Sequence, residues 1–248
     1  FRQVGDAFDP GLGFVARRGI RHSYGTVGVH PRPRLPGVLE LNPYLEMHYI
    51  TNLESALETR EGTAGLGILF SDGGQLRSQL SDRFEAIGEV FLVAGEGEVP
   101  AGRYRFTEAS LTYTASAARP LSGELEVAGG EFFNGNRTSL TLSGNWRPSR
   151  HMAMGIQAQR NDISLPGNHF TADVIGARAD FAASRRVFLN SFVQYNTASE
   201  EMVTNIRLNV IHAPLSDIFL VFSERRDMDG GRVLEREVTL KGTKLLSF

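Results

Sequence analysis

The sequence predicts an all-β protein: an antiparallel up-and-down transmembrane β-barrel, with about 13 strands in this chain and about 14 or more in the complete protein. Three observations carry this. Apolar and polar residues alternate with period two through most of the chain, and no stretch holds the 3.6-residue period of a helix. Many alternating runs reach 10 residues or more, whereas soluble strands usually run about 5–6 residues and a tilted membrane strand needs about 9–11. The connections between runs also sort into two sets of different character.

Composition narrows the classes further. With 41% hydrophobic and 22% charged residues over 248 positions, the chain has enough apolar side chain to fold. A net charge of −2 provides no basic field for nucleic acid. The absence of cysteine excludes a disulfide scaffold, a thiolate metal site and a Cys nucleophile. No purely apolar stretch is longer than Ile218 to Phe222, far short of the about 20 residues of a spanning helix. Of the 26 basic residues only Lys241 and Lys244 are lysines. Arginine favours pairing with phosphate and carboxylate, although base composition gives the same bias.

Taken in order, the expected strands are 20–30, 38–50, 56–70, 75–85, 104–117, 121–133, 137–147, 151–162, 170–182, 187–196, 201–212, 218–225 and 233–248. In the second, Leu39, Leu41, Leu45, Met47 and Tyr49 alternate with Glu40, Asn42, Glu46 and His48. In the fourth, Leu76, Leu80 and Phe84 oppose Arg77, Gln79 and Arg83. Leu121, Leu125 and Val127 alternate with Ser122, Glu124 and Glu126. Leu140, Leu142, Gly144 and Trp146 back onto Ser139, Thr141, Ser143 and Asn145. Met202, Thr204, Ile206, Leu208 and Val210 oppose Asn205, Arg207 and Asn209. Turn signals such as Asp72-Gly73-Gly74, Asn134-Gly135-Asn136, Pro166-Gly167-Asn168 and Asp229-Gly230-Gly231 separate the runs. A single domain over 1–248 is expected, with 1–19 an outer loop and 20–248 the strands. Phe1 to Pro10 carries no secretory signal pattern and reads as the tail of a strand entering a turn, so the chain is expected to be the C-terminal part of a longer one.

Connections after odd-numbered strands are mostly short and arginine-rich, with Arg32, Arg34, Arg119, Arg147, Arg150, Arg185 and Arg186. Those after even-numbered strands include the longest, 86–103, and most of the acidic residues. Outer-membrane barrels combine short periplasmic turns with longer outer loops, so the first set is expected on the periplasmic side, together with the C-terminus. Aromatic residues fall near strand ends: Tyr49, Phe84 and Tyr195 toward the long connections, Phe70, Trp146 and Phe181 toward the short ones. Two interfacial girdles place rings this way.

Several segments carry a resemblance: Phe188 to Asn196, Asn205 to Asn209, Asp217 to Glu224, Arg137 to Leu140, Trp146 to Ser149, and Phe8 to Phe14. Together they resemble the carboxyl-terminal outer-membrane β-barrel region of an uncharacterised bacterial family whose members bear an N-terminal family-nine-like carbohydrate-binding module. The resemblance implies a fold and an outer-membrane location. That module is absent from this sequence, and glycan contact through it is implied only for the longer protein.

Motifs for chemistry are sparse. The histidines His22, His30, His48, His151, His169 and His212 form no His-Glu-x-x-His pattern. Gly11-Leu12-Gly13 and Gly95-Glu96-Gly97 lack the third glycine and following helix of a dinucleotide site, and no phosphate loop or nucleophile elbow occurs. Asp227, Asp229 and Gly230 faintly resemble a calcium loop but read better as a turn. No catalytic residue, metal site or cofactor is expected.

The polar strand faces are the candidate site. Arg77, Gln79, Glu124, Glu126, Gln157, Gln159, Arg178, Asp180, Asn205, Arg207 and Asn209 are expected to line a barrel lumen, because lipid must meet the apolar faces. They would either line a wet channel or pair into a filled interior. Phe248, Leu246 and Leu240, with Val238, form a candidate assembly signal: a terminal aromatic on a period-two apolar face, interrupted at Lys244 and Gly242. The expected role is a non-enzymatic outer-membrane anchor or scaffold for a module or complex. A porin-like conduit for small polar solutes or oligosaccharides, a soluble β-rich binding module and a membrane hydrolase are the alternatives. Expected partners are outer-membrane lipid and lipopolysaccharide, the barrel assembly machinery, further subunits of an outer-membrane complex and glycans; nucleic acid is not among them.

Overall fold

A computed structural model describes residues 1–8 and 17–245. Among these the regular structure is entirely strand. In chain order the strands are β1 (Arg2–Val4), β2 (Ile20–Gly28), β3 (Val38–Asn52), β4 (Leu57–Phe70), β5 (Gln75–Ile87), β6 (Phe91–Val93), β7 (Gly97–Val99) and β8 (Gly102–Thr114). They continue as β9 (Leu121–Phe132), β10 (Gly135–Ser149), β11 (Met152–Leu165), β12 (Asn168–Ala182), β13 (Val187–Asn196), β14 (Glu201–Ala213), β15 (Ser216–Asp227) and β16 (Val233–Thr243). Fourteen of them form one antiparallel sheet in the order β1-β2-β3-β4-β5-β8-β9-β10-β11-β12-β13-β14-β15-β16, so each strand neighbours the next along the chain. The thirteen expected runs are β2 to β5 and β8 to β16, with ends shifted by a few residues.

Within the segment 1–19, expected as an outer loop, Arg2, Gln3 and Val4 form β1 and pair with His22, Arg21 and Ile20, in line with Phe1 to Pro10 reading as the tail of a strand entering a turn. One feature goes beyond the sequence reading. The connection 86–103 folds as a hairpin, β6 on β7, with Phe91 opposite Val99. Three-residue strands are too short for alternation to register. The turn between them is marked instead by Ala94 and Gly95, both with positive φ. The carboxyl-terminal signal cannot be placed, because Leu246 and Phe248 lie outside the described residues; Leu240 sits on β16 and is exposed.

The residues group into two compact units. The first comprises Phe1–Tyr113, Glu126–Thr138 and Asp162–Phe170. Its core is small and local: Val99, Ile163, Leu165 and Phe170 are buried together, with Val93, Tyr104, Phe132 and Phe133 packed against them. Gly97 permits this, since a Cβ there would lie 2.5 Å from the Phe170 ring. The second unit comprises Thr114–Leu125, Ser139–Asn161 and Thr171–Phe248. Within it β13 pairs with β14 in continuous register, Phe192 opposite Asn205, and β14 pairs with β15, Asn205 opposite Ser223, with a register shift between Ile211 and Ala213.

In both units the apolar strand face is exposed. In the first, Val27, Leu45, Met47, Leu80 and Leu111 are exposed. In the second, Leu121, Leu140, Leu142, Trp146, Ile156, Ile175, Leu220 and Leu240 are exposed. Of these, Leu45, Met47, Leu80, Leu121, Leu140, Leu142, Trp146 and Leu240 are residues that sequence alternation assigns to apolar faces, and no layer of the described residues covers them.

Candidate functional site

The opposite, polar face is built from residues that sequence periodicity brings into line and that then bond across strands. Each of the eleven candidate residues lies on a strand. In the first unit, Arg77 and Gln79 share a face of β5, opposite Gly67 and Gly65 of β4. The missing side chain at Gly65 lets Tyr44 of β3 lie across β4, where an added Cβ would stand 2.3 Å from its ring. Gln79 Nε2 thereby donates to Tyr44 Oη at 2.7 Å. Arg77 is exposed and lines a cavity of about 200 Å³ with Glu40, Asn42 and Gly67. Glu126 accepts from the Thr112 hydroxyl at 3.0 Å.

The same face of this unit carries bonds that the sequence did not single out. Arg83 Nε donates to Glu61 at 2.9 Å, Thr63 and Ser81 share a buried bond of 2.9 Å, and Thr59 donates to Glu85 at 2.8 Å. His22 Nε2 lies 3.0 Å from His48 Nδ1, and the carboxylate of Glu46 reaches both His48 Nε2 at 3.1 Å and Tyr24 Oη at 3.2 Å. Glu108 pairs with Arg137, both largely buried, and the Arg137 guanidinium lies 4.7 Å from the centroid of Phe132. Parity was the available signal. Arg137 falls on the Ser139 face of its strand and Glu108 on the Thr112 face, but the partner depends on register, which one strand's pattern does not contain.

In the second unit, Glu124 accepts from Thr114 at 2.8 Å. Gln157 lies across Gly176, 2.9 Å from where a Cβ would stand, and Gln159 is exposed on the same strand. Arg178 and Asp180 pair at 3.2 Å, and Asn190 donates to Asp180 at 2.8 Å. Asn205 donates to Ser223 at 2.8 Å, and Arg207 lies 4.4 Å over the Phe219 ring. Arg178, Asp180, Asn205 and Arg207 share the lining of a cavity of about 190 Å³. Asn209 Oδ1 is buried without a hydrogen-bond partner. Arg225 bridges Glu201 and Glu235, each at 3.5 Å.

The arrangement is chemically a set of cross-strand hydrogen bonds and ion pairs. Among the described residues no group of three or more His, Asp or Glu has the geometry to hold a metal ion. The acid run at Asp227 is a turn, in which the carboxylate accepts from the backbone N–H groups of Asp229 and Gly230 at 3.1 and 3.4 Å.

The fold and the face together define an all-β protein with a fourteen-stranded antiparallel sheet, bonded across strands on one side and apolar on the other. No family model matches the chain, and no curated protein or solved structure is significantly similar to it.

Proposed function

We propose that this chain is a bacterial outer-membrane β-barrel that serves as an anchor or scaffold for a surface or periplasmic module or a larger complex. The observation that carries the membrane half of this reading is the exposed apolar face. Soluble monomers rarely expose contiguous apolar patches beyond a few hundred Å², yet here strand after strand presents leucine, isoleucine, valine or methionine outward. Lipid is the solvent that such a face fits. Strand length agrees: β10, with 15 residues, extends about 50 Å at about 3.3 Å per residue, enough to cross an apolar band of about 25 Å at a steep tilt. In lipid an unpaired strand edge costs several kcal/mol per backbone group, so this reading requires the sheet to close on itself. The C-terminus then faces the periplasm, and the long connection holding β6 and β7 faces outward.

The anchor half rests on the polar face. Its charges are met by neighbours: Glu61 by Arg83, Glu108 by Arg137, Asp180 by Arg178 and Asn190, Glu201 and Glu235 by Arg225. Side chains satisfied in this way brace a wall and leave few groups to select a passing solute.

Extraction tests the membrane reading: the full chain should leave isolated membranes only with detergent, and a detergent-free soluble monomer would overturn it. Planar-bilayer recording tests the anchor reading. The expected result is no steady conductance, and reproducible open-channel steps would replace the anchor with a conduit.

A further inference from the structure

The apolar face of the first unit is not uniform. Gly25, Gly62 and Ala64 leave β2 and β4 nearly bare, while Leu45, Met47 and Leu80 stand around them, enclosing a groove of about 750 Å³. The floor is empty at Gly25, where a Cβ would meet no atom within 4 Å. At Gly62 it would meet only the flexible end of Met47 at 3.6 Å.

One end of this groove is charged. Asp82 lines it and lies directly opposite Gly62. The Asp82 carboxylate accepts from Arg60 Nη2 at 2.9 Å and from Arg105 Nε at 2.8 Å. Two guanidinium groups on one carboxylate leave one positive charge uncompensated, and the side chain of Arg105 is 70% exposed. Tyr49 and Phe84 flank Arg60 in the same cross-strand row. An apolar slot therefore runs up to a pair of braced arginines beside two aromatic rings, at the strand ends nearest the long connection.

We propose that this groove holds one phosphorylated acyl glycolipid of the outer leaflet, of the lipid A kind, with an acyl chain over Gly25, Gly62 and Ala64 and a phosphate on Arg60 and Arg105. The inference rests on the membrane reading and its orientation. Guanidinium forks match phosphate oxygens with two parallel bonds. Asp82 holds both forks in place before the lipid arrives, which lowers the ordering cost of binding. The bare strand surface offers a chain a concave seat in place of a convex leucine wall.

The test is native mass spectrometry of the purified full chain in detergent, titrated with bisphosphorylated lipid A. Parallel titrations use the dephosphorylated lipid, phosphatidylglycerol and inorganic phosphate. The double variant Arg60→Gln, Arg105→Gln should weaken lipid A binding at least about tenfold, since it removes both charge-assisted contacts to the phosphate. Gly25→Leu, which fills the slot from an unstrained strand position, should weaken it with both arginines intact, and Arg105→Lys should restore part of what the glutamine variant loses. Heat-modifiable gel migration verifies that each variant is folded. Equal binding of the dephosphorylated lipid, displacement by inorganic phosphate, preference for phosphatidylglycerol, or unchanged affinity in both the double variant and Gly25→Leu would overturn the proposal. A chain that requires detergent yet binds no lipid A refutes this site alone; a chain soluble without detergent refutes the membrane reading beneath it.

Discussion

Gly65 of β4 and Gly25 of β2 lie on either side of β3 and have opposite reasons to be glycine. At Gly65 the Tyr44 ring occupies the space of a side chain, with the nearest ring carbon 2.3 Å from a would-be Cβ. Gly65→Ala should expel Tyr44, break its bond to Gln79 and cost about 1–3 kcal/mol, as overpacking does. Gly25→Ala meets open space and should be neutral or slightly stabilising, because glycine is entropically unfavourable in strands by about 0.5–1 kcal/mol. Urea midpoints of micelle-bound protein compare the two. Glu108 makes a different case. Its partner Arg137 has a side chain only 25% exposed, so Glu108→Ala leaves a poorly solvated guanidinium. A loss of about 2–3 kcal/mol is expected, somewhat below the about 3–5 of a fully buried pair, with Glu108→Gln retaining part of it.

The hairpin of β6 and β7 is a lid on a private core. Val99, the one side chain fully enclosed among the described residues, covers Ile163, Leu165 and Phe170. Replacing residues 90–99 with a Gly/Ser linker should open the ends of β11 and β12 to protease while the rest of the sheet resists digestion; equal resistance throughout would mean that the hairpin is only decoration. Val99→Ala should produce a milder version, about 2–3 kcal/mol from lost burial and the void left behind. This element also marks where reading the sequence stopped working. The long strands announced themselves, since ten or more alternating residues between Gly/Pro/Asn turns have few other meanings, and β2 to β5 and β8 to β16 fall where alternation put them. Phe91 to Val93 and Gly97 to Val99 are each three residues, too few for a period. The polar face was legible in the same partial way. Parity assigned Gln79, Glu124, Asp180 and Asn205 to their faces, but the partners Tyr44, Thr114, Asn190 and Ser223 follow from register between strands and from glycines that let a side chain cross. Histidine shows the same limit: His22 meets His48 of the next strand at 3.0 Å, a contact that spacing within one strand does not reveal.

At the scale of the molecule, the buried hydrophobic set among the described residues is short, Val4, Ile20, Val99, Phe106, Ala128, Ile163, Leu165 and Phe170, against a long series of exposed apolar side chains. Folding therefore transfers little greasy surface out of water into protein. The consequence is calorimetric. A water-soluble protein of 248 residues would unfold with a heat-capacity increment of about 3.0–3.7 kcal/mol/K, from about 12–15 cal/mol/K per residue. On the proposed membrane reading the outward side chains contact detergent tails in the folded state and remain largely micelle-bound after melting, so that increment should fall well below half of that figure. Scanning calorimetry in micelles measures it directly, and a value in the soluble range would indicate that the apolar face had been dry inside protein all along. A small increment flattens the curve of stability against temperature: the fold would lose little strength on cooling, show no accessible cold melting, and melt over a broad interval set as much by the amphiphile around it as by the chain.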